Sequence, residues 1–353
     1  MTALLVTSVT PWPNVSSDKP NCSHFKYMAY TITYSLVFPV GLLSNLVALF
    51  VFVWHTPKKT ANTVFMTNLA ISDVCFTLTL PFRLVYYFKE CHWAFPDWLC
   101  RWCVYSFYVN LYTSVLFLTG LSVLRYLAVV HPIRNKTLVT VRRASLACFG
   151  IWLFVALMSI PFLMTGIQKD GERISCFEPV QKRNWLRIRD LNYIALIFGF
   201  LIPFVTILVC YGCIIYKLFM GRKVLKNNKK RKHQRSVYLI AVILTTFLLC
   251  FIPYHIIRTV YLDFKVTGNH KNLQEQLLKV SVLTLCVAAS NSCLNPIMYY
   301  FAGESFRTSF RRASRRGTVS SENSFRMSFQ RRSRSNRPIN CQTLTPMKLL
   351  GTE

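Results

Sequence analysis

The sequence predicts an all-α membrane protein: a seven-transmembrane helix bundle that continues into a short amphipathic cytoplasmic helix. Three observations predict this fold. First, 53% of the 353 residues are hydrophobic and only 16% are charged, whereas about 25% of the residues of an ordinary soluble domain are charged. Second, the apolar residues fall in seven long blocks. Third, the basic residues are divided unequally between the segments that join those blocks.

The seven apolar blocks are called spans 1 to 7 below. Each is long enough to cross a bilayer as a helix, which takes about 20 residues. A soluble core of this length would need more polar surface than the composition supplies. The predicted bounds are Tyr30–Trp54, Asn62–Tyr87, Trp98–Leu127, Ala144–Met164, Asn192–Lys217, Ser236–Leu262 and Lys279–Phe301.

The placement of lysine and arginine predicts the topology. Two lie in the first loop, five between Arg125 and Arg143, nine between Lys217 and Arg235, and eleven after Phe301, which makes 27 of the 42 in the chain. The positive-inside rule puts these segments in the cytosol and the N-terminus outside. The net charge of +29 therefore sets topology and favours contact with anionic membrane lipid. We predict no nucleic-acid partner.

The segments outside the bundle carry their own signals. Asn14 and Asn21 each begin an N-glycosylation sequon, and no cleavable signal peptide is visible, so span 1 is expected to direct insertion. We predict an extracellular glycosylated N-terminus over 1–29, a seven-transmembrane domain over 30–301, an amphipathic helix over 302–312 and a disordered cytoplasmic tail over 313–353. Basic motifs before Ser314 and Ser333 resemble kinase sites that could recruit arrestin.

Cysteines on the outer side favour disulfide formation. They are Cys22, Cys91, Cys100 and Cys176, and the outer side of a plasma membrane is oxidising. An even number is consistent with two disulfides, but the spacing leaves the pairing open.

One acidic residue, Asp73, lies inside a predicted membrane core. Polar groups are costly there and usually pair with one another. One interpretation is a polar switch that holds a sodium ion or water and rearranges between states. The other is static hydrogen bonding between helices. We favour the first because several polar side chains converge on one carboxylate. The expected partners are Asn45, Asn110, Ser114, Asn291 and Asn295.

The outer halves of the spans carry basic and phenolic side chains. Arg83 and Arg258 each follow a membrane proline, and arginine binds carboxylates and phosphates in a bidentate manner. These residues predict a site for an acidic ligand; the alternative is that both guanidinium groups reach the lipid headgroups. The other candidate ligand-binding residues are Lys26, Tyr108, Tyr254 and His255.

Several motifs occur in order along the spans. They are Asn68-Leu69-Ala70-x-x-Asp73, Leu124-Arg125-Tyr126, Trp152, Pro203 with Tyr211, Cys250-Phe251-Ile252-Pro253 and Asn295-Pro296-x-x-Tyr299. With these motifs, the chain from Tyr30 to about Arg312 resembles the class A (rhodopsin-like) G-protein-coupled receptors. The resemblance implies a heterotrimeric G protein as partner, with Arg125, Tyr126, Tyr211 and Tyr299 in signal transfer, together with receptor kinases and arrestin. It also implies a Cys100–Cys176 disulfide, which leaves Cys22 either paired with Cys91 or free.

Two positions depart from that family's usual pattern. Leu124 stands where an acidic residue usually precedes Arg125, and Phe251 replaces a common tryptophan. Loss of the carboxylate removes one ion-pair partner from Arg125. We therefore predict measurable signalling without ligand.

A finer resemblance is to cysteinyl leukotriene receptors. It is carried by residues 105–112, Pro161–Met164, Gln168–Asp170, Cys176–Pro179, Phe251–Thr259 and Tyr299–Glu304. It implies an acidic eicosanoid conjugated to a cysteine-containing peptide, whose acyl chain enters an apolar slot between spans 4 and 5. The implied coupling is to a Gq-type G protein with calcium mobilisation, from a multi-pass plasma-membrane receptor.

The same residues also bear on three other functions: a different ligand, a transporter and an enzyme. A nucleotide or a small dicarboxylate is the alternative ligand, since either would also use Arg83 and Arg258. A transporter would usually show internal repeats, and none is visible. An enzyme is not expected, because the sequence has no H-E-x-x-H or G-x-S-x-G motif. Apart from a sodium ion, no metal or cofactor is predicted.

Overall fold

A computed structural model of the chain describes residues 23–56, 58–164, 166–170, 173–177, 182–220, 237–238, 240–268 and 271–302. Within these ranges seven helices are long and apolar enough to cross a bilayer. The predicted seven-helix fold is therefore confirmed. In order, spans 1 to 7 cover His24–His55, Ala61–Phe88, Asp97–Val130, Val141–Leu163, Asn184–Met220, Ile240–Thr267 and Asn272–Tyr300.

Spans 3 and 4 are single helices, and the other described spans are composite. In spans 5 and 6 a π-helical turn, which has one residue more per turn, precedes a segment with proline at its second position. Proline lacks the N–H that a regular helix would use there. The segments, grouped by span in the order 1, 2, 5, 6 and 7, are His24–Phe50 and Val51–His55; Ala61–Thr77 and Leu80–Phe88; Lys182–Ile194, Ala195–Leu201 and Ile202–Met220; Phe247–Phe251 and Ile252–Thr267; Lys271–Ala289 and Asn291–Ala302.

Most helices extend beyond the apolar blocks that predicted them. The helix that enters span 5 begins at Lys182, ten residues before the predicted Asn192. Hydropathy marks only the hydrocarbon layer, whereas a helix can continue into the polar interface. Span 4 begins at Val141 because Thr140 Oγ1 accepts a hydrogen bond from the Arg143 backbone N–H at 3.3 Å and caps the helix.

Span 3 lies at the centre of the bundle. It packs against spans 2, 4 and 5, and its Val115, Phe117 and Leu121 are fully buried. Leucines and phenylalanines of span 4 face outward instead, among them Leu146, Phe149 and Leu153. Apolar side chains on an outer face are the arrangement that a lipid environment favours.

Two small elements lie in the loops. Strands β1 (Gln168–Asp170) and β2 (Arg173–Ser175) form an antiparallel hairpin between spans 4 and 5. Pro132–Leu138, called the loop helix below, joins spans 3 and 4. The predictions for Asn14, Asn21, Cys22 and the segment 303–353 lie outside the described residues.

Candidate functional site

Asp73 lies at the centre of a buried polar cluster formed by three spans. It is fully buried, and its two carboxylate oxygens accept hydrogen bonds from Asn110 Nδ2 at 3.0 Å and Asn295 Nδ2 at 2.7 Å. A carboxylate in an apolar interior must be paired in this way, since its desolvation is otherwise uncompensated. The structure thus brings Asp73, Asn110 and Asn295 together.

Two further oxygen atoms of the predicted cluster are buried without a hydrogen-bond partner among the described residues. They are Ser114 Oγ, one turn beyond Asn110, and Asn291 Oδ1, one turn before Asn295. Residues four apart share one helix face. Buried polar atoms left unpaired are uncommon in folded proteins, and oxygens in this position can bind a water molecule or a cation.

Asn45 is placed beside this cluster by a close approach of span 1 to span 7. Its Nδ2 donates to the backbone oxygens of Ser292 and Gly41, each at 2.9 Å. A Cβ atom on Gly41 would lie 3.3 Å from Ser292 Oγ of span 7 and 3.0 Å from Thr77 Cγ2 of span 2, so glycine permits the close approach. Asn45 therefore fixes the backbone of spans 1 and 7 and does not contact Asp73 directly.

Sequence reasoning missed two hydroxyl groups of the cluster. Ser72 Oγ and Thr113 Oγ1 are 2.6 Å apart, and Asn110 Nδ2 also donates to Ser72 Oγ at 3.2 Å. Both residues are buried. The sequence could have predicted both residues as members of the cluster, because Ser72 adjoins Asp73 and Thr113 follows Asn110 by three residues.

Arg83 lies buried near the outer end of span 2. Its Nη2 donates to the Cys103 backbone oxygen at 2.7 Å, and its guanidinium carbon lies 4.5 Å from the ring centre of Phe177 and 5.3 Å from that of Phe107. Its Nε finds no hydrogen-bond partner among the described residues. Arg83 is therefore held in place by the protein and keeps one donor unused.

Arg258 lies within electrostatic range of a group of tyrosines and forms no salt bridge in the described part of the chain. The phenols around it are those of Tyr30, Tyr108, Tyr112, Tyr254 and Tyr261. Tyr30 lies within electrostatic range of both Arg258 and Arg83, so the two arginines border one group of tyrosines, which is called the aromatic chamber below. A chamber with two guanidinium groups and phenol donors is suited to an anion.

His255 and Lys26 are both buried at this outer end. The His255 ring stacks on Phe200, with ring centres 4.4 Å apart, and neither ring nitrogen has a hydrogen-bond partner among the described residues. Lys26 lies in the first turn of span 1, within electrostatic range of Lys265. Both predicted donors therefore face the protein interior rather than open solvent.

A cavity of about 240 Å³ lies between spans 4 and 5. Tyr112 and Gly199 meet at its inner wall, where a Cβ on Gly199 would lie only 2.6 Å from Tyr112 Cδ1. Phe162 also lines the cavity, and its ring stacks on Tyr108 with ring centres 3.7 Å apart. The remaining lining residues are mostly apolar: Phe154, Val155, Leu157, Met158, Ser159, Pro161, Leu191, Ile194, Ala195 and Phe198. An apolar slot thus adjoins the aromatic chamber.

The β-hairpin is fixed above the chamber by covalent and polar contacts. A disulfide joins Cys100 to Cys176, as predicted. Asp97 Oδ1 accepts from the Ile167 backbone N–H at 2.7 Å, and Arg101 Nη1 donates to the Leu163 backbone oxygen at 2.7 Å.

Cys91 is also disulfide-bonded. Cys22, which we expect either to pair with Cys91 or to stay free, lies outside the described residues.

At the end of the bundle away from the β-hairpin, the predicted signalling residues form two separate contacts. Tyr211 Oη lies 2.7 Å from Ser122 Oγ and within electrostatic range of Arg125. Tyr299 instead packs on span 1, with its ring 5.4 Å from that of Phe52 and its hydroxyl 3.5 Å from Asn45 Oδ1.

Tyr126 links span 3 to the loop that follows it. Its hydroxyl lies 3.1 Å from His131 Nε2. His131 immediately precedes the loop helix, so the end of span 3 and the loop helix are joined by a side-chain contact.

Replacing Leu124 with aspartate is expected to lower ligand-free signalling. The new carboxylate would adjoin the Arg125 guanidinium, and an ion pair at a partly exposed position contributes about 0.2–1 kcal/mol, which corresponds to a basal signal up to about fivefold lower. Basal inositol phosphate accumulation at matched surface expression measures this. Leu124→Asn is the uncharged control, and an equal fall in both variants would contradict the ion-pair explanation.

Most of the chain is similar to known proteins. A family model described as "7 transmembrane receptor (rhodopsin family)" matches residues 44–299. Cysteinyl leukotriene receptor 2 of Mus musculus is 41% identical over 305 residues, covering 86% of this chain and 97% of that protein. Cysteinyl leukotriene receptor 1 of Homo sapiens is 41% identical over 288 residues, covering 80% and 84%. Lysophosphatidic acid receptor 6 of Gallus gallus is 37% identical over 296 residues, covering 82% and 95%.

Proposed function

Because this chain belongs to the rhodopsin family of seven-transmembrane receptors, we propose that it binds a cysteinyl leukotriene and signals through a G protein. Members of this family are multi-pass membrane receptors and not enzymes. The observation that carries the choice of ligand is the aromatic chamber around Arg258, which adjoins an apolar slot. The relatives named as cysteinyl leukotriene receptors support the same ligand.

The chamber supplies what the charged end of such a ligand requires. A cysteinyl leukotriene carries carboxylates on its fatty-acid and peptide parts. Arg258 has no salt bridge among the described residues, and Arg83 keeps an unpaired Nε. A buried cation without a counter-ion is costly, so an incoming carboxylate would relieve that cost.

The slot between spans 4 and 5 suits the other end of the ligand. Its walls are mainly Phe, Leu, Ile and Met side chains, and burial of an acyl chain gains about 0.8 kcal/mol per CH₂ group. A nucleotide or a small dicarboxylate would leave this slot unused. A lysophospholipid would use both regions, and the similarity to lysophosphatidic acid receptor 6 makes it the second candidate.

The test is a calcium measurement in transfected cells over a concentration series of leukotrienes C4, D4 and E4, lysophosphatidic acid, a nucleotide and a dicarboxylate. We expect a saturable response to a leukotriene. A response to lysophosphatidic acid alone would retain the acidic-lipid class and reject the leukotriene. A response to the nucleotide or dicarboxylate alone would reject both lipids.

The same cells test orientation and location. Placement of the N-terminus outside the plasma membrane is supported by the basic loops and the two sequons. An epitope tag ahead of residue 1 should be stained on intact cells, whereas a tag after residue 353 should require permeabilisation. The reverse pattern would overturn the orientation. Gq coupling is our expectation for the partner, and a Gq-selective inhibitor should abolish the calcium signal.

The cluster around Asp73 fits a sodium ion. Hard cations prefer oxygen ligands, and this site offers the Asp73 carboxylate with the unpaired oxygens Ser114 Oγ and Asn291 Oδ1. When bound, the ion would offset the buried negative charge. We propose that these residues hold sodium in the resting receptor.

Replacing Asp73 with asparagine should remove the effect of sodium on agonist affinity. For the parent receptor we expect a shift of about fivefold or more when sodium chloride is replaced by N-methylglucamine chloride, which is the usual range of a coupling energy between two sites. Radioligand competition measures it. Asp263→Asn, at a half-buried position that accepts a hydrogen bond from Tyr193 Oη, is the matched control. Loss of the sodium-dependent affinity shift in Asp263→Asn, or its retention in Asp73→Asn, would contradict the proposed sodium site.

A further inference from the structure

The loop helix Pro132–Leu138 is loosely packed against the bundle. None of its residues is buried. A cavity of about 420 Å³ is lined by Asn135 of this helix, by Leu124 and Ala128 of span 3 and by the first residues of spans 2 and 4. Isolated helices shorter than about 12 residues are marginal in water. The segment can therefore open locally at little cost.

The surroundings of the loop helix are strongly basic. Arg134 and Lys136 precede Thr137 by three residues and one, and no aspartate or glutamate occurs from Leu124 to Ser145. Across the cavity lies Lys59. Basic residues ahead of a hydroxyl are what basic-directed serine/threonine kinases select, because their substrate grooves are acidic.

Thr137 carries the accessible hydroxyl group of this segment. Its side chain is exposed, and its Oγ1 donates to the Arg134 backbone oxygen of the same helix at 3.0 Å. Thr140 Oγ1 caps span 4, and Ser145 lies within the long helix of span 4. A kinase needs an extended substrate, so Ser145 cannot be presented without unwinding the helix of span 4, and presentation of Thr140 would remove the cap of that helix.

We propose that Thr137 is a phosphorylation site for a basic-directed kinase, and that its phosphate weakens coupling to the G protein. In the step, a bond forms between Thr137 Oγ1 and the γ-phosphorus of ATP, the bond from that phosphorus to the bridging oxygen breaks, ADP leaves, and the hydroxyl proton passes to the kinase base. The proposal rests on the cytoplasmic placement of this loop given above.

The contacts of Arg143 supply the mechanism. Its Nη1 donates to the backbone oxygens of Thr137 at 3.0 Å and Leu138 at 3.3 Å, which stabilises the end of the loop helix. A phosphate at Thr137 is a stronger acceptor and competes for that guanidinium. Negative charge near a helix C-terminus is also unfavourable. The loop helix then unwinds, and the Tyr126–His131 contact carries the change to the end of span 3.

The test uses the full chain in lipid nanodiscs, treated with ATP and either cyclic-AMP-dependent protein kinase or protein kinase C. Tryptic peptide 137–142, together with peptide 135–142 where cleavage after Lys136 is missed, holds Thr137 and Thr140, and fragmentation separates the two positions. We expect phosphate on Thr137 and at least a threefold fall in the rate at which leukotriene D4 stimulates nucleotide exchange on added G protein. Both effects should be absent in Thr137→Ala and retained in Thr140→Ala.

Each outcome decides one step. No phosphate on Thr137 with either kinase would overturn the site. Phosphate without a fall in exchange, or an equal fall in Thr137→Ala, would overturn the coupling effect, since the tail sites remain in that variant. Exchange is also measured before kinase treatment, so a receptor that never responds to leukotriene D4 reveals failure of the proposed ligand. Its ligand-free exchange rate then serves as the readout.

Discussion

Replacing Arg258 with alanine is expected to raise the leukotriene concentration needed for half-maximal calcium release by roughly 30-fold to several thousandfold. Loss of one partner of a buried charge pair costs about 2–5 kcal/mol, and each 1.4 kcal/mol is a factor of about ten. Arg258 lies among phenols and has no salt bridge with the described residues. We therefore expect a carboxylate of the ligand to serve as its counter-ion.

Two variants separate this effect from loss of folding. Arg258→Lys keeps the charge but loses bidentate geometry, so its response should lie between those of the parent and of Arg258→Ala. Arg189→Ala removes an exposed arginine paired with Asp190 and should leave the response unchanged. If Arg258→Ala reaches the cell surface and responds within threefold of the parent, Arg258 does not bind the ligand.

Replacing Cys100 with serine should abolish the leukotriene response and reduce surface display at least tenfold. The disulfide joins residues 76 apart in sequence, and closing such a loop stabilises the fold by about 4.5 kcal/mol in the chain-entropy model. The same bond places Phe177, whose ring lies against the Arg83 guanidinium. Loss of the bond therefore affects both stability and the chamber.

The control for this prediction is Cys213→Ser, which alters a free, half-buried thiol of span 5. It should be displayed and respond normally. The double variant Cys100→Ser with Cys176→Ser should behave like either single variant, because one bond is lost in each. Surface flow cytometry and radioligand saturation measure both effects. A single variant that binds normally would show that the hairpin is held without the disulfide by polar contacts such as that between Asp97 and the Ile167 backbone N–H.

The features that follow from the cost of polar atoms in hydrocarbon could be predicted from the sequence. Seven long apolar blocks predict seven spans, because helices satisfy their own backbone groups. The convergence of Asp73, Asn110 and Asn295 follows from the same cost, since a buried carboxylate must find donors. The pairing of Cys100 with Cys176 came from resemblance, not from spacing, which left several pairings open.

The remaining features depend on tertiary packing. No local pattern shows that Arg83 donates to the Cys103 backbone oxygen, or that Tyr299 turns toward Asn45 and not toward Tyr211. The start of the helix at Lys182 also could not be predicted from hydropathy, because the segment there is polar and hydropathy detects only the hydrocarbon layer. Side-chain contacts between distant residues need the assembled bundle.

The π-helical turn Ala195–Leu201 has a consequence for how chains of this family can differ in length. In a regular helix, loss of one residue turns every later side chain by about 100°, so spans tolerate no such change. A π-helical turn already accommodates one residue beyond the regular count. Removing a residue there returns the turn to regular geometry and leaves Tyr211 and the outer face of span 5 in register. Single-residue gaps between related sequences are therefore expected at this turn.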